Sequence, residues 1–394
     1  MEHIIEVNKE ILLPLSKVNN NRDIKIVNNV NSPGCHCPMH TALAICRNFK
    51  GLSTLVVGTS ECTYYSRLVL NSKFADKKTV HYTYLMEEKD VVFGAREGIE
   101  SAIDEMFKDG SEKILIIVTC IPALIGEDYE NLFSDNRDDN IAVLDVAHYK
   151  RLGYKDGVHG TMKVIGDFLD IKEKENQINI FAEKVSGELE ELIEIIKKQY
   201  IVKIFDLNSN IDVYSQITKG IYTIVCSHKF LYLAETLKNR IGLDYINLFD
   251  IYDTETLKTI YKQLENDLHI KINLEKEIEL ANGNGIKTHI TTPSIVTLSV
   301  AYALNKQNFN IETVHIEELD IVENYWKDKV LETFDPYACF FGVKNIAGDF
   351  HFGHSMHDLT GPMNAYWFMD FQSAIGYERI KILNKKLKEV VPCL

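Results

Sequence analysis

The strongest constraint on the fold is an alternation: short β-branched apolar runs recur along the chain, with amphipathic helical stretches between them. Runs at 53–57 (STLVV), 113–119 (KILIIVT), 140–144 (NIAVL), 177–181 (QINIF), 202–205 (VKIF), 222–226 (YTIVC) and 287–291 (KTHIT) predict strands. Stretches 97–107, 188–198, 231–240 and 294–304 predict helices. In 188–198, Leu189, Leu192 and Ile196 form an apolar side, while Glu188, Glu190, Glu191 and Glu194 lie mostly on a solvated one. Strands and helices alternating at this spacing give parallel, doubly wound α/β units. Continuous apolar runs are what strands buried on both faces require. The charged stretch 172–176 separates a first unit from a second, and Asn282-Gly283-Asn284-Gly285, preceded by a helical pattern over 274–280, opens a third. The expected organisation is three Rossmann-like domains, 1–172, 173–281 and 282–394, with the C-terminal segment packing back on the first.

Composition narrows the class of function. The 394 residues are 45% hydrophobic and 25% charged, as in globular proteins able to bury sizeable cores. No apolar run approaches the roughly 18 residues a membrane-spanning helix needs, and the N-terminus lacks the basic start and apolar stretch of a secretory signal. The chain is therefore expected in the cytoplasm, without a membrane partner. Acidic residues outnumber basic ones, 57 to 43. That balance argues against a nucleic-acid partner, whose phosphates call for a basic surface.

Eight cysteines in a long chain of this kind do not form a disulfide framework. Neither Cys-x-x-Cys nor His-Glu-x-x-His occurs, so zinc has little support. Position is more informative. In doubly wound sheets, ligands collect beyond the carboxyl ends of the strands. Cys62 follows the strand 53–57 through a short loop, Cys120 directly ends the strand 113–119, and Cys226 ends the strand 222–225. Cys35 sits in the turn Ser32-Pro33-Gly34-Cys35, ahead of a helix-like stretch from 39 to 46. A single such cysteine is ordinarily a small buried hydrophobe. Several on comparable loops suit thiolate ligation of a shared iron–sulfur cluster.

Four segments carry a resemblance: Pro33-Gly34-Cys35; Glu61-Cys62-Thr63-Tyr64-Tyr65-Ser66-Arg67; Met86-Glu87-Glu88-Lys89-Asp90-Val91-Val92-Phe93-Gly94; and Thr119-Cys120-Ile121-Pro122-Ala123-Leu124-Ile125-Gly126-Glu127-Asp128. Together they resemble the component-1 subunits of nitrogenase and its relatives. That superfamily spans the catalytic nitrogenase subunits, cofactor-assembly scaffolds and tetrapyrrole reductases. The resemblance implies three Rossmann-like doubly wound parallel-sheet domains around a central cavity, and pairing with a second component 1-type subunit. It also implies a [4Fe–4S] or larger fused, P-cluster-like cluster at the subunit interface, held by Cys35, Cys62 and Cys120. Cys37 is unusual in the pattern, and is read as a packed thiol with ligation as its alternative. Where the family often has His-Gly-Pro before the second cysteine, this chain has Val57-Gly58-Thr59-Ser60-Glu61, and Glu61 adds negative charge beside the second thiol.

Two further segments are similar to parts of the nitrogenase catalytic subunit. Cys226-Ser227-His228-Lys229-Phe230-Leu231-Tyr232 resembles the segment whose cysteine holds one end of the large metallocluster. His354-Ser355-Met356-His357-Asp358-Leu359-Thr360-Gly361-Pro362 resembles the one bearing the histidine at the other end. Cys226 and His354 are thus the implied cofactor-binding pair, with His357 the other possible match. His357 and His159, the latter following a turn over 153–157, are candidate proton donors, because imidazole titrates near neutral pH. The implied function is a nitrogenase-like reductase that accepts electrons from an ATP-dependent iron protein. The alternatives are a non-catalytic scaffold for metallocluster assembly, a tetrapyrrole reductase subunit and a cluster-free binding module. The chain carries no Gly-x-x-x-x-Gly-Lys-[Ser/Thr] phosphate loop of its own.

Overall fold

The computed structural model describes residues 37–47, 49, 51–70, 79–126, 129, 140–150, 154–207, 209, 211–292, 297–316, 322–323, 350–353, 366–367 and 374–390. Cys35, His354 and His357 lie outside the described residues. The chain divides into two compact units. One is made of His36–Glu183 and Tyr200–Tyr245, and the other contains Lys184–Gln199 and Ile246–Leu394.

The first unit opens with helix α1 (Pro38–Cys46) and a sheet of β1 (Leu52–Gly58), β2 (His81–Leu85), β3 (Lys113–Val118) and β4 (Ile141–Asp145). The strand order is β2-β1-β3-β4, with every pairing parallel. All seven residues of β1 are buried, which suits its mainly apolar sequence, with the polar Ser53 and Thr54 buried in hydrogen bonds. Helices α2 (Ser60–Leu70), α3 (Glu88–Phe93), α4 (Arg96–Lys108), α5 (Cys120–Ile125) and α6 (Tyr154–Phe168) fill the connections. On α4, Ile99, Ile103 and Met106 recur at helical spacing and pack against Leu55, Val57, Ile114 and Ile116 of the sheet.

Helix α6 replaces the turn expected over 153–157 in its described part. Gly157 is helical because α6 runs against α1: a Cβ there would overlap Thr41 Oγ1 and the Pro38 carbonyl. A glycine inside a helix costs about 1 kcal/mol relative to alanine, and here it permits close helix packing.

A second sheet has the order β6-β5-β7-β8, from β5 (Gln177–Phe181), β6 (Ile201–Phe205), β7 (Tyr222–Val225) and β8 (Asp244–Asn247). β5 pairs in parallel with both β6 and β7. Helix α7 (Glu188–Ile196) follows β5, a single turn α8 (Ile211–Tyr214) precedes β7, and helix α9 (Leu231–Ile241) joins β7 to β8.

In the second unit, helix α10 (Thr254–Leu268) leads to β9 (Lys287–Thr292), helix α11 (Thr297–Lys306), β10 (Asn310–Ile316), β11 (Val322–Glu323), β12 (Phe350–Gly353), β13 (Tyr366–Trp367) and helix α12 (Gly376–Val390). The third sheet runs β11-β10-β9-β12-β13, parallel except for the β10–β11 pair.

The helix expected over 274–280 is absent: residues 270–283 have no regular secondary structure. Seven residues are too few to repay helix nucleation without a partner face. This stretch finds its partners while non-helical. Lys276 pairs with Glu191 of α7 at 3.1 Å, Glu279 with Lys388 of α12 at 2.7 Å, and the Ala281 amide donates to Asn384 Oδ1 at 2.8 Å.

Helices α7 and α12 cap each other. The Glu378 amide donates to Glu188 Oε2 at 3.0 Å, and the Glu188 amide donates to Glu378 Oε2 at 3.2 Å. Tyr261 of α10 adds a hydroxyl to Glu188 Oε1 at 2.5 Å. Both helices are entered through left-handed glycines, Gly187 (φ 57°) and Gly376 (φ 62°). A Cβ on either would overlap the other helix's capping carboxylate.

Nearby in sequence, the loop after β8 holds Asp250 half-buried. Asn247 Nδ2 donates to its Oδ1 at 2.8 Å, and Arg379 lies close enough to oppose part of the effect of burial. Burial pushes the Asp250 carboxyl up to about 6, with Arg379 holding it down. A carboxyl raised on folding favours the protonated native state. Its contribution is therefore full below the unfolded value near 4 and is lost as pH rises through about 6. Between pH 4 and pH 7, the stability of the chain relative to Asp250→Asn is expected to fall by about 2 kcal/mol. Paired urea titrations at the two pH values read this difference directly. A pH-independent difference contradicts it.

Candidate functional site

In the first sheet the strand order reverses between β1 and β3, and the carboxyl ends of these strands form the switch point at which such folds bind ligands. Three thiols meet around it. Cys62 is the third residue of α2, which follows β1, and Cys120 is the first residue of α5, which follows β3. Cys37 is the N-cap of α1, with Pro38 in the first turn. Their proximity shows in the Cys37 thiol. Burial pushes it above its usual value, the Met39 amide pulls it back, and the charges of Cys120 and Cys62 push it up again.

Local packing explains why the thiols converge. Thr119, just before Cys120, donates its hydroxyl to the Val57 carbonyl at 2.8 Å, tying the end of β3 to the end of β1. Gly58 makes room for the arrangement. A Cβ there would overlap Thr119 Oγ1 and come within 2.9 Å of Cys62 Cβ. The Met86 amide donates to the Gly58 carbonyl at 3.0 Å, drawing the exit of β2 to the same edge. At the start of α2, the Thr59 hydroxyl, the Glu61 amide and the Ser60 hydroxyl hold the Glu61 carboxyl below its usual range. Glu61 therefore adds a fixed negative charge one residue from Cys62.

The segment 86–94 has a structural explanation of its own. Asp90 is buried, accepts from the Glu87 amide at 2.9 Å and forms a capping box with Glu87 at the start of α3. Gly94, at φ 88°, ends the helix. The short helix thus presents Val92 and Phe93 to solvent, 71% and 87% exposed. Leu124 of α5 and Tyr64 of α2 are also exposed, at 66% and 61%. These segments all leave the carboxyl edge that carries the thiols.

Among the described residues, no three His, Cys, Asp or Glu side chains are arranged to hold a single metal ion. A cluster distributes its thiolate ligands around a body several atoms wide. Three neighbouring, partly exposed thiols at a strand-end switch point fit that donor set. Cys46, by contrast, is fully buried and its thiol is pushed up to about 12, as expected of an inert packed thiol.

The second sheet reverses its order between β5 and β7. Cys226 stands there at the end of β7, buried, with its amide donating to the Phe181 carbonyl at 2.8 Å. His159 lies inside α6, buried, its ring stacked on Tyr232 of α9 with centroids 3.7 Å apart and planes 15° from parallel. That geometry gives His159 a part in packing α6 against α9. Cys37, expected as a packed thiol with ligation as its alternative, stands half-buried at a helix N-cap beside Cys62 and Cys120. The available signal was Pro38, since proline at the first helical position marks the residue before it as an N-cap.

The chain is a largely parallel α/β protein with three thiols gathered at the switch point of its first sheet. The family follows from comparison. Residues 37–284 match the family model for nitrogenase component 1 type oxidoreductases, and the chain belongs to that family. It is 27% identical over 248 residues to the nitrogenase iron-molybdenum cofactor biosynthesis protein NifE of Clostridium pasteurianum. That alignment takes in 58% of this chain and 54% of the other, so the chain matches about half the length of this curated relative. A solved structure described as nitrogenase Cp1 at pH 6.5 superposes with a TM-score of 0.62, covering 94% of this chain and 95% of that one. Identity there is 13%, so the likeness is one of fold. No described helix is long and apolar enough to cross a membrane.

Proposed function

We propose that this chain is a component 1-type scaffold on which a metallocluster is assembled, with a resident iron–sulfur cluster held by Cys37, Cys62 and Cys120. The observation that carries the ligand set is the convergence of these three thiols on one switch point. The likeness to a cofactor biosynthesis protein favours a scaffold over a reductase. Bound there, an iron–sulfur cluster supplies one-electron storage. The chain's own residues do the rest. The Met39 and His40 amides at the α1 N-terminus point to Cys37 and offset part of the burial that raises its thiol. Thr119 and Gly58 fix the spacing of the other two ligands, and Glu61 adds negative charge that disfavours further reduction.

The exposed Tyr64, Val92, Phe93 and Leu124 suit burial by a second component 1-type subunit, which would complete the ligation. In the scaffold reading the cargo is a larger metallocluster held at Cys226, with His354 or His357 as its second anchor. Within the family, a reductase reading places an ATP-dependent iron protein as electron donor and the same second site as the place of chemistry. Transfer separates the two. The chain is purified anaerobically with its partner and mixed with a cofactor-free nitrogenase component 1. The scaffold reading expects bound cluster to pass to the acceptor and activate it, with no substrate reduction before the acceptor is added. Steady substrate turnover by the chain, its partner and an iron protein, without any cluster transfer, overturns it.

A further inference from the structure

At the switch point of the second sheet, one carboxylate ties together the segment that follows Cys226. Glu183 lies just past β5. Its Oε1 accepts from the Ser227 hydroxyl at 2.7 Å, and its Oε2 accepts from Lys229 Nζ at 2.7 Å. The Phe181 carbonyl already holds the Cys226 amide at 2.8 Å. Three anchors from the exit of β5 therefore hold residues 226, 227 and 229 at the exit of β7. Ser227 is extended (φ −136°, ψ 135°) and N-caps the 3-10 turn His228–Phe230, without a side-chain bond to that turn. Its hydroxyl is directed to Glu183. The Lys229–Glu183 pair is partly open to water, and such pairs add little to stability. Its effect is on geometry: both oxygens of one carboxylate are engaged, one by the residue after Cys226 and one by the residue three after it.

From this arrangement we infer that Glu183 is the positioning residue of the Cys226 anchor, clamping the strand-end loop so that the thiol stays buried and aimed in one direction until cargo takes it. The inference rests on the reading of Cys226 as a cargo ligand, and it concerns residues that reading does not use. Releasing the clamp leaves the sheet intact and frees only the loop, so the thiol should open to solvent more often.

The test is the rate of Cys226 alkylation by iodoacetamide in the full-length chain without metal, followed by mass spectrometry with Cys62 as internal reference. Glu183→Gln is expected to raise the Cys226 rate by roughly tenfold, with the Cys62 rate and the thermal midpoint unchanged. Glu183→Asp keeps the charge and is expected to recover part of the protection. Ser227→Ala removes a single hydroxyl and is expected to give a smaller increase, which keeps the question answerable if the glutamine variant folds poorly. A Cys226 rate equal to wild type in both Glu183→Gln and Ser227→Ala overturns the clamp. In the cluster-loaded complex, Cys226→Ala tests the underlying reading separately. Loss of iron beyond the interface cluster supports it. A full iron complement overturns Cys226 as an anchor while leaving the alkylation result to judge the clamp.

Discussion

Cys62→Ala and Cys120→Ala are each expected to lower the bound iron of the anaerobically isolated protein by roughly tenfold or more, because a cluster deprived of one thiolate loses charge balance as well as a bond. Acid-labile sulfide and the brown absorbance should fall in step. Cys46→Ala is the matched control. Its thiol is fully buried and its acidity suppressed, so iron should stay at the wild-type level. The specificity comes from position. Cys62 and Cys120 each stand at the start of a helix that leaves the carboxyl edge of the first sheet, with Gly58 and Thr119 holding the two strand ends together. Equal iron in all three variants would remove the strand-end thiols from the account.

Gly376→Ala is expected to destabilise the second unit by about 3–5 kcal/mol. Two effects add. The residue sits at φ 62°, where any side chain strains the backbone, and the new Cβ overlaps Glu188 Oε1. It also approaches the Tyr261 hydroxyl to 2.5 Å. Glu188 is 1% exposed, so displacing its carboxylate from the Glu378 amide and the Tyr261 hydroxyl leaves buried polar groups unsatisfied. Gly242→Ala separates the two effects. Gly242 has nearly the same φ, 65°, but nothing lies within 4 Å of its would-be Cβ. Only the backbone strain remains there, about 1 kcal/mol. Urea unfolding of the pair should give clearly different midpoints. Equal losses would mean that the reciprocal cap between α7 and α12 contributes nothing.

The strands most legible in the sequence are those buried on both faces. The run 53–57 became Leu52–Gly58 and the run 113–119 became Lys113–Val118, because short β-branched and apolar runs are what strands buried on both faces call for. β2 was missed: His81-Tyr82-Thr83-Tyr84-Leu85 is aromatic and only half-buried, so no continuous apolar run announces it. α6 was obscured by its glycines, which look like turn residues until α1 is seen packed against Gly157. The helical pattern over 274–280 was real in sequence, and it lost to long-range partners on α7 and α12 that no local window contains.

The candidate site divides in the same way. Cys62, Cys120 and Cys226 were legible because each follows a readable strand, and strand ends are where such folds bind. The grouping of Cys37 with Cys62 and Cys120 was not, because these residues lie far along the chain and only folding brings them together. Glu183 was invisible for the same reason, since it meets Ser227 and Lys229 only through the pairing of β5 with β7.

The most direct test of the account is the iron and sulfide content, with the EPR spectrum, of Cys37→Ala beside Cys35→Ala, each isolated anaerobically with the partner subunit. A cluster held by Cys37, Cys62 and Cys120 predicts that Cys37→Ala loses the iron and the cluster signal while Cys35→Ala keeps both. Retention of the cluster in Cys37→Ala, or a wild-type protein that carries neither iron nor sulfide when isolated in this way, contradicts it.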